Sequence, residues 1–263
     1  MPVKVPEGLI PPDMPSLAAL GPVVVIVGLS ALFRGFTGFG FAIIAVPLLS
    51  LALPPLPAVA LAAGLQFLGG LMDVRSASRA CHWPSLRWLA LGAVPASPLG
   101  TLLLAWLPAD AARLVIAGAC GIAVLALVSG PGLRRLPGPG ATATVGALSG
   151  LFNGLAAMPG PPALAFYLAM PLTPAQVRSS LMVFFLLSAS LSCASLVAIG
   201  AVGGREVLLV LAGMPLMLGG SRLGAALFHR AGRAHRKVSL AALALVAVLT
   251  AAKGLAGLLE DLP

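Results

Sequence analysis

Between residues 17 and 259 the chain holds no polar stretch long enough to cover a core in water. Apolar runs succeed one another at residues 17–33, 41–53, 58–72, 89–107, 114–129, 142–157, 163–170, 177–199, 207–227 and 238–259, broken by short segments bearing Pro, Gly or Arg. With 59% hydrophobic and 9% charged residues, a soluble domain would have almost nothing to place on its surface. Lipid removes that problem, because a helix satisfies its own backbone hydrogen bonds there. The sequence therefore predicts an all-α, polytopic integral membrane helix bundle. Its 31 Gly and 24 Pro lie mostly within or between apolar runs, where close helix packing and broken helices use them.

Two runs are too short to cross. Residues 41–53 make about 20 Å of helix at ~1.5 Å per residue, against a hydrocarbon core of ~30 Å. This run follows the glycine-spaced segment Arg34-Gly-Phe-Thr-Gly-Phe-Gly40 and ends at Pro54, Pro55 and Pro57. The second short run, 163–170, follows Met158-Pro-Gly-Pro-Pro162. Both read as half-helices. The pattern also restarts in its residues: Leu32-Phe33-x-Gly35 is answered by Leu151-Phe152-x-Gly154, Pro57-Ala58 by Pro174-Ala175, and Pro95 with Gly100 by Pro215 with Gly220. Offsets of 117 to 120 in a constant order mark an internal repeat. The division is a polar lead at 1–16, a first membrane repeat at 17–129, a connector at 130–140, a second repeat at 141–259 and a tail at 260–263.

Charge orients the halves. The formal net charge is +9, but the cations sit in short clusters between apolar runs: Arg75, Arg79 and Arg87 in a basic loop, Arg134 and Arg135, and the stretch 229–237. That is the distribution of cytoplasmic segments beside a lipid bilayer, with no nucleic-acid module. Trp83 and Trp88 flank the first basic loop as interfacial anchors. Counting each broken pair as one crossing places residues 75–87 and 230–237 on opposite sides. Counting five passes per half gathers all three basic segments on one side, and leaves Asp110 with Arg113, Arg205 with Glu206, and Glu260-Asp261 on the other. An odd number inverts the second half, so the expectation is two inverted repeats, each with a Gly/Pro-broken short helix. The first span lacks a small-residue cleavage site and is expected to be retained. Cys81, Cys120 and Cys193 read as small hydrophobes rather than disulfide partners.

A cation between two apolar runs demands a partner, and a small anion answers the local chemistry. Half-helices starting after Gly40 and after Gly160 aim backbone N–H groups and positive dipole ends into the membrane. Arg34 and Arg178 supply full charge; Thr37, Asn153 and Tyr167 supply hydrogen bonds; Gly35, Gly38, Gly154 and Pro161 complete the candidate substrate site. Plainer roles exist for each: topology anchors for Arg34 and Arg178, helix packing for the glycines, an interhelical hydrogen bond for Asn153, structural contacts for Tyr167 and Gln66. All seven acids read as lying in loops or near segment ends, so no proton relay announces itself. His82, His229 and His235 read as loop residues, and no metal cluster, cofactor motif or nucleophile elbow argues for an intramembrane enzyme. A passive anion channel or a structural membrane subunit stays open beside a carrier.

The chain resembles the sulfite exporter TauE/SafE family of membrane transporters over roughly its whole apolar length. The likeness is carried by residues 34–40 followed by Val46-Pro47-Leu48-Leu49, and by Gly160-Pro161-Pro162 followed by Tyr167 and Val177-Arg178-Ser179. It departs from the family pattern where adjacent glycines give way to Gly38-Phe39-Gly40-Phe41 and to Ala156-Ala157-Met158-Pro159. The resemblance implies export or uptake of small sulfur-containing anions such as sulfite or organosulfonates across the bacterial inner membrane, and the expectation is an alternating-access carrier. The direction, the coupling ion and any homo-oligomer are not written in the sequence.

Overall fold

The computed structural model describes residues 17–37, 40–129, 137–231, 245, 248–253 and 255–256. Within them the elements are α1 (Leu17–Thr37), α2 (Phe41–Ala52), α3 (Pro55–Ala80), α4 (Trp83–Trp106), α5 (Ala109–Ser129), α6 (Pro139–Ala156), α7 (Gly160–Ala169), α8 (Pro174–Ala198) and α9 (Gly204–Ala231). No strand occurs among the described residues. Four helices are long and apolar enough to cross a bilayer, namely α3, α4, α8 and residues 204–227 of α9. The protein is a multi-pass helical membrane protein. The polar lead, Arg134, Arg135 and most of the last apolar run lie outside the described residues.

Local sequence sets the helix ends. Pro55 and Pro57 occupy the first turn of α3, where a missing N–H costs nothing, and Thr173 opens α8 with a capping box shared with Gln176. The two breaks are built differently. Gly40 caps α2 at φ 91°, a left-handed conformation that costs glycine little. Ala157 ends α6 at φ 49°, the same region without glycine's freedom, at a cost of roughly 1–2 kcal/mol. The departure of the second motif from glycine therefore leaves strain at that break.

Three boundaries differ from the sequence-based expectation. The basic loop shrinks to Cys81 and His82, because α3 runs on to Ala80 and carries Arg75 and Arg79, while Arg87 lies in α4. Charge alone did not end the helix, since Arg is a good helix former and nothing from residue 72 to 80 breaks one. Asp73 thereby sits inside α3 rather than in a loop. For the same reason α9 continues to Ala231, so His229 is helical, whereas His82 does lie between helices and His235 falls outside the described residues.

The most extensive packing joins α4 with α6, α1 with α9, and α3 with α8. Glycine makes the first two contacts close enough for backbone to touch backbone. A Cβ on Gly92 would lie 2.0 Å from the Ala143 carbonyl oxygen, one on Gly146 2.1 Å from that of Leu89, and one on Gly154 2.1 Å from that of Ser97. Across the other pair, a Cβ on Gly35 would lie 2.0 Å from the Ser221 carbonyl oxygen, and one on Gly220 2.8 Å from the Ala31 methyl. Because Gly92 meets Ala143 and Gly100 meets Leu151, the numbering advances together and α4 runs parallel to α6. Gly70 meets Leu186, and the backbone N–H of His82, just past the end of α3, donates to Ser180 Oγ at 2.8 Å, so α3 and α8 run antiparallel. Thus the helix that opens each half packs on the fourth helix of the other half.

These contacts make a direct prediction. Gly154→Leu forces a side chain into the α4 backbone, an overpacking that costs about 1–3 kcal/mol or more. Gly118→Leu places its Cβ where nothing lies within 4 Å. Thermal unfolding of the purified protein in detergent should show a marked loss for the first variant and little change for the second.

Candidate functional site

Arg34 lies in the last turn of α1, held there by the Gly35–Ser221 backbone contact. Its Nη1 donates to Ser221 Oγ on α9 at 3.4 Å, and its Nη2 donates to the Gly69 carbonyl at 3.2 Å and to Asp73 Oδ2 at 2.5 Å on α3. The side chains of the ion pair are 17% and 36% exposed, so the pair is half-sheltered rather than sealed. The cation therefore has a partner within the protein, and that partner is the acid inside α3.

The pair lines a cleft of about 240 Å³ whose wall also includes Arg178 near the start of α8, Arg222 on α9, Gly35, Gly69 and Ser221. This is far more than the ~10–15 Å³ needed to admit one water. Three guanidiniums face one carboxylate, so the cleft favours anions. Arg178 and Arg222 are exposed, whereas Arg34 is the sheltered charge. A smaller cavity of about 20 Å³ shares Arg34 and Asp73 and continues to Gln66, Gly70, Gly40 and Phe41. The amino end of α2 thus opens on the same polar space as Arg34.

The two half-helices are not equal as anion sites. At α2 the cap and first three residues are Gly40, Phe41, Ala42 and Ile43, all with N–H groups, and no side chain caps them. At α7 the corresponding residues are Pro159, Gly160, Pro161 and Pro162, so three of the four donors do not exist. Gly160 is buried, and a Cβ there would lie 3.0 Å from Ile43 Cδ1, which packs the two helix starts against each other through hydrocarbon. The expected pair of facing positive ends reduces to one, and the absent proline N–H groups were visible in the sequence.

Of the sequence-predicted residues, the structure brings Arg34, Gly35 and Arg178 to the cleft and Gly40 to its inner extension. Thr37 closes α1, and Gly38 lies outside the described residues. Asn153 and Gly154 stand at a different place, the junction of α4, α6 and α8. Asn153 is fully buried and its Nδ2 donates to Ser97 Oγ at 2.8 Å and to the Ser188 carbonyl at 2.7 Å. Its Oδ1 is buried without a hydrogen-bond partner. Tyr167, also fully buried, shares a 3.1 Å hydrogen bond with Ser85 and so ties α7 to the first turn of α4. Asp73, Ser221 and Arg222 were missed. The signal for Asp73 was present: Gln66 and Asp73 fall at i and i+7, on one face of the same helix.

Arg34 and Asn153 are answering positions of the repeated Leu-Phe-x-Gly motif, and they make answering contacts. Arg34 reaches a backbone carbonyl of α3 and a hydroxyl of α9; Asn153 reaches a backbone carbonyl of α8 and a hydroxyl of α4. One half places a permanent charge where the other places a neutral amide. Among the described residues no group of His, Cys, Asp and Glu is arranged to hold a metal ion.

Residues 23–250 match the family described as Sulfite exporter TauE/SafE. A protein of Cupriavidus necator (strain ATCC 17699 / DSM 428 / KCTC 22496 / NCIMB 10442 / H16 / Stanier 337), described as "Probable sulfite/organosulfonate exporter TauE", is 29% identical over 175 residues. That match covers 61% of this chain and 65% of the relative, so the chain spans just under two thirds of the relative's length. No solved structure matches. With the family pattern running from α1 to the last apolar run, across the cleft and both breaks, this chain belongs to the TauE/SafE sulfite exporter family.

Proposed function

We propose that the protein carries a small sulfur oxyanion, sulfite or an organosulfonate, across the bacterial inner membrane by alternating access. The observation that carries this is the Arg34 guanidinium, sheltered yet lining a cleft with Arg178 and Arg222 and joined to the open amino end of α2. A planar guanidinium presents paired donors that match the oxygens of a sulfonate or sulfite, and it stays charged whatever its surroundings. The Cupriavidus relative, described as a probable sulfite/organosulfonate exporter, points to the same class of anion. Arg34 binds, Arg178 and Arg222 draw the anion into the cleft, and the α2 N–H groups receive it deeper in.

Two inverted repeats underlie the motion. The answering helices α3 and α8 run antiparallel against each other, while α4 runs parallel to α6, which is the arrangement an odd number of passes per half produces. Glycine contacts bind α1 to α9 and α6 to α4 as close pairs, and these are the units that rock. Asn153, in this scheme, ties the second pair to α8 and is not a substrate ligand.

Flux of labelled sulfite and of a labelled organosulfonate into vesicles bearing the purified protein tests the proposal. Accumulation against the anion's gradient under an imposed driving force marks a carrier, and strictly downhill flux marks a channel. Arg34→Ala should lower anion affinity roughly 10- to 100-fold, since charge-assisted hydrogen bonds contribute about 1.5–3 kcal/mol. Unchanged affinity in a correctly inserted variant would remove the cleft as the binding site. Arg178→Gln with Arg222→Gln should raise KM several-fold at low salt and much less at ~1 M salt, where screening acts over ~3 Å.

A further inference from the structure

The Arg34 guanidinium is a sheltered cation, so whenever the carrier closes around it some anion must stand beside it. Asp73 is built to be that anion. It reaches Nη2 of Arg34 at 2.5 Å from a different helix, and it lines the same cleft from which a substrate would approach. The guanidinium has two further, neutral anchors in the Gly69 carbonyl and Ser221 Oγ, which keep it in place when its charged partner changes. We propose that Asp73 is the substrate's stand-in on Arg34, neutralising it in the unloaded carrier so that the empty protein reorients and net transport proceeds without a counter-anion. This rests on the cleft being the anion site.

The other charges around Asp73 fit the exchange. From α8 and α9 the cleft presents Arg178 and Arg222, both exposed, which hold the displaced carboxylate and the incoming anion together. α2 carries no titratable side chain. On α5, Arg113 pairs with Asp110 and donates to the Ser50 carbonyl at the far end of α2. Arg75 and Arg79, on Asp73's own helix, are exposed and do not line the cleft. Asp73 and a sulfonate therefore compete for one sheltered donor set, and each favours a different step of the cycle.

The test compares two rates for labelled methanesulfonate, whose charge does not change with pH, in vesicles bearing the full-length protein. Net efflux needs the empty carrier to return; exchange, with the anion on both sides, does not. Asp73→Asn should raise the ratio of exchange to net efflux by about tenfold or more, within the ordinary span of coupling between sites. Asp73→Glu should restore the ratio toward that of the wild type. A ratio unchanged by Asp73→Asn, whether both rates persist or fall together, overturns the proposal and assigns the ion pair a structural role. Should Asp73→Asn fail to insert, the wild type supplies the decision: methanesulfonate, but not uncharged dimethyl sulfone, should increase carbodiimide labelling of Asp73, and equal or reduced labelling overturns the proposal. Direct binding of methanesulfonate separates the two levels. Binding lost in Arg34→Gln with an unchanged flux ratio in Asp73→Asn leaves the anion site standing and removes the stand-in; binding unaffected by Arg34→Gln removes both.

Discussion

Backbone touching backbone is the contact on which this structure depends. In lipid, burying apolar surface between helices brings no gain over burying it in acyl chains, so association rests on close van der Waals approach and on polar ties. Gly92, Gly100, Gly146, Gly150 and Gly154 let α4 and α6 meet at that distance, and Gly35 with Gly220 does the same for α1 and α9. Each pair joins one half of the chain to the other. The fold therefore exchanges helix contacts between the two halves of the chain.

That exchange also places the chemistry. The Gly35–Ser221 approach carries Arg34 across to α9 and α3, where the Gly69 carbonyl, Ser221 Oγ and Asp73 receive it. At the answering contact, Gly154 against Ser97 carries Asn153 to Ser97 and Ser188. Shared geometry with different residues yields a charged, water-accessible half and a neutral, buried half. The half-helices diverge in the same sense, since α2 offers a full set of N–H donors and α7 has lost three to proline. The two motif positions make corresponding contacts, and side-chain identity gives the permanent charge to one of them.

Much of this was legible in the chain. Hydropathy marked the helices, the two short runs and the restart near residue 142, because period and length of apolar sequence are local properties. Arg34 stood out because a permanent cation between apolar runs has few physical justifications. Boundaries drawn from charge were less faithful: Arg75 and Arg79 suggested a loop, yet α3 passes through them to Ala80, since Arg favours helix and the true stop comes at Cys81 and His82. That error hid Asp73, which became an unremarked loop acid instead of the counter-charge of Arg34.

By itself the sequence determined that this protein lives in a bilayer as a set of helices, two of them short, with Arg34 at the first break. Those conclusions follow from composition, spacing and the hydrocarbon thickness, all of which act along the chain. Only the tertiary structure decided that Asp73 pairs with Arg34, that Arg178 and Arg222 share its cleft, and that Asn153 belongs to another junction. These depend on which helix lies beside which, and that is settled by glycine-to-carbonyl approaches between residues far apart in the chain, such as Gly35 with Ser221.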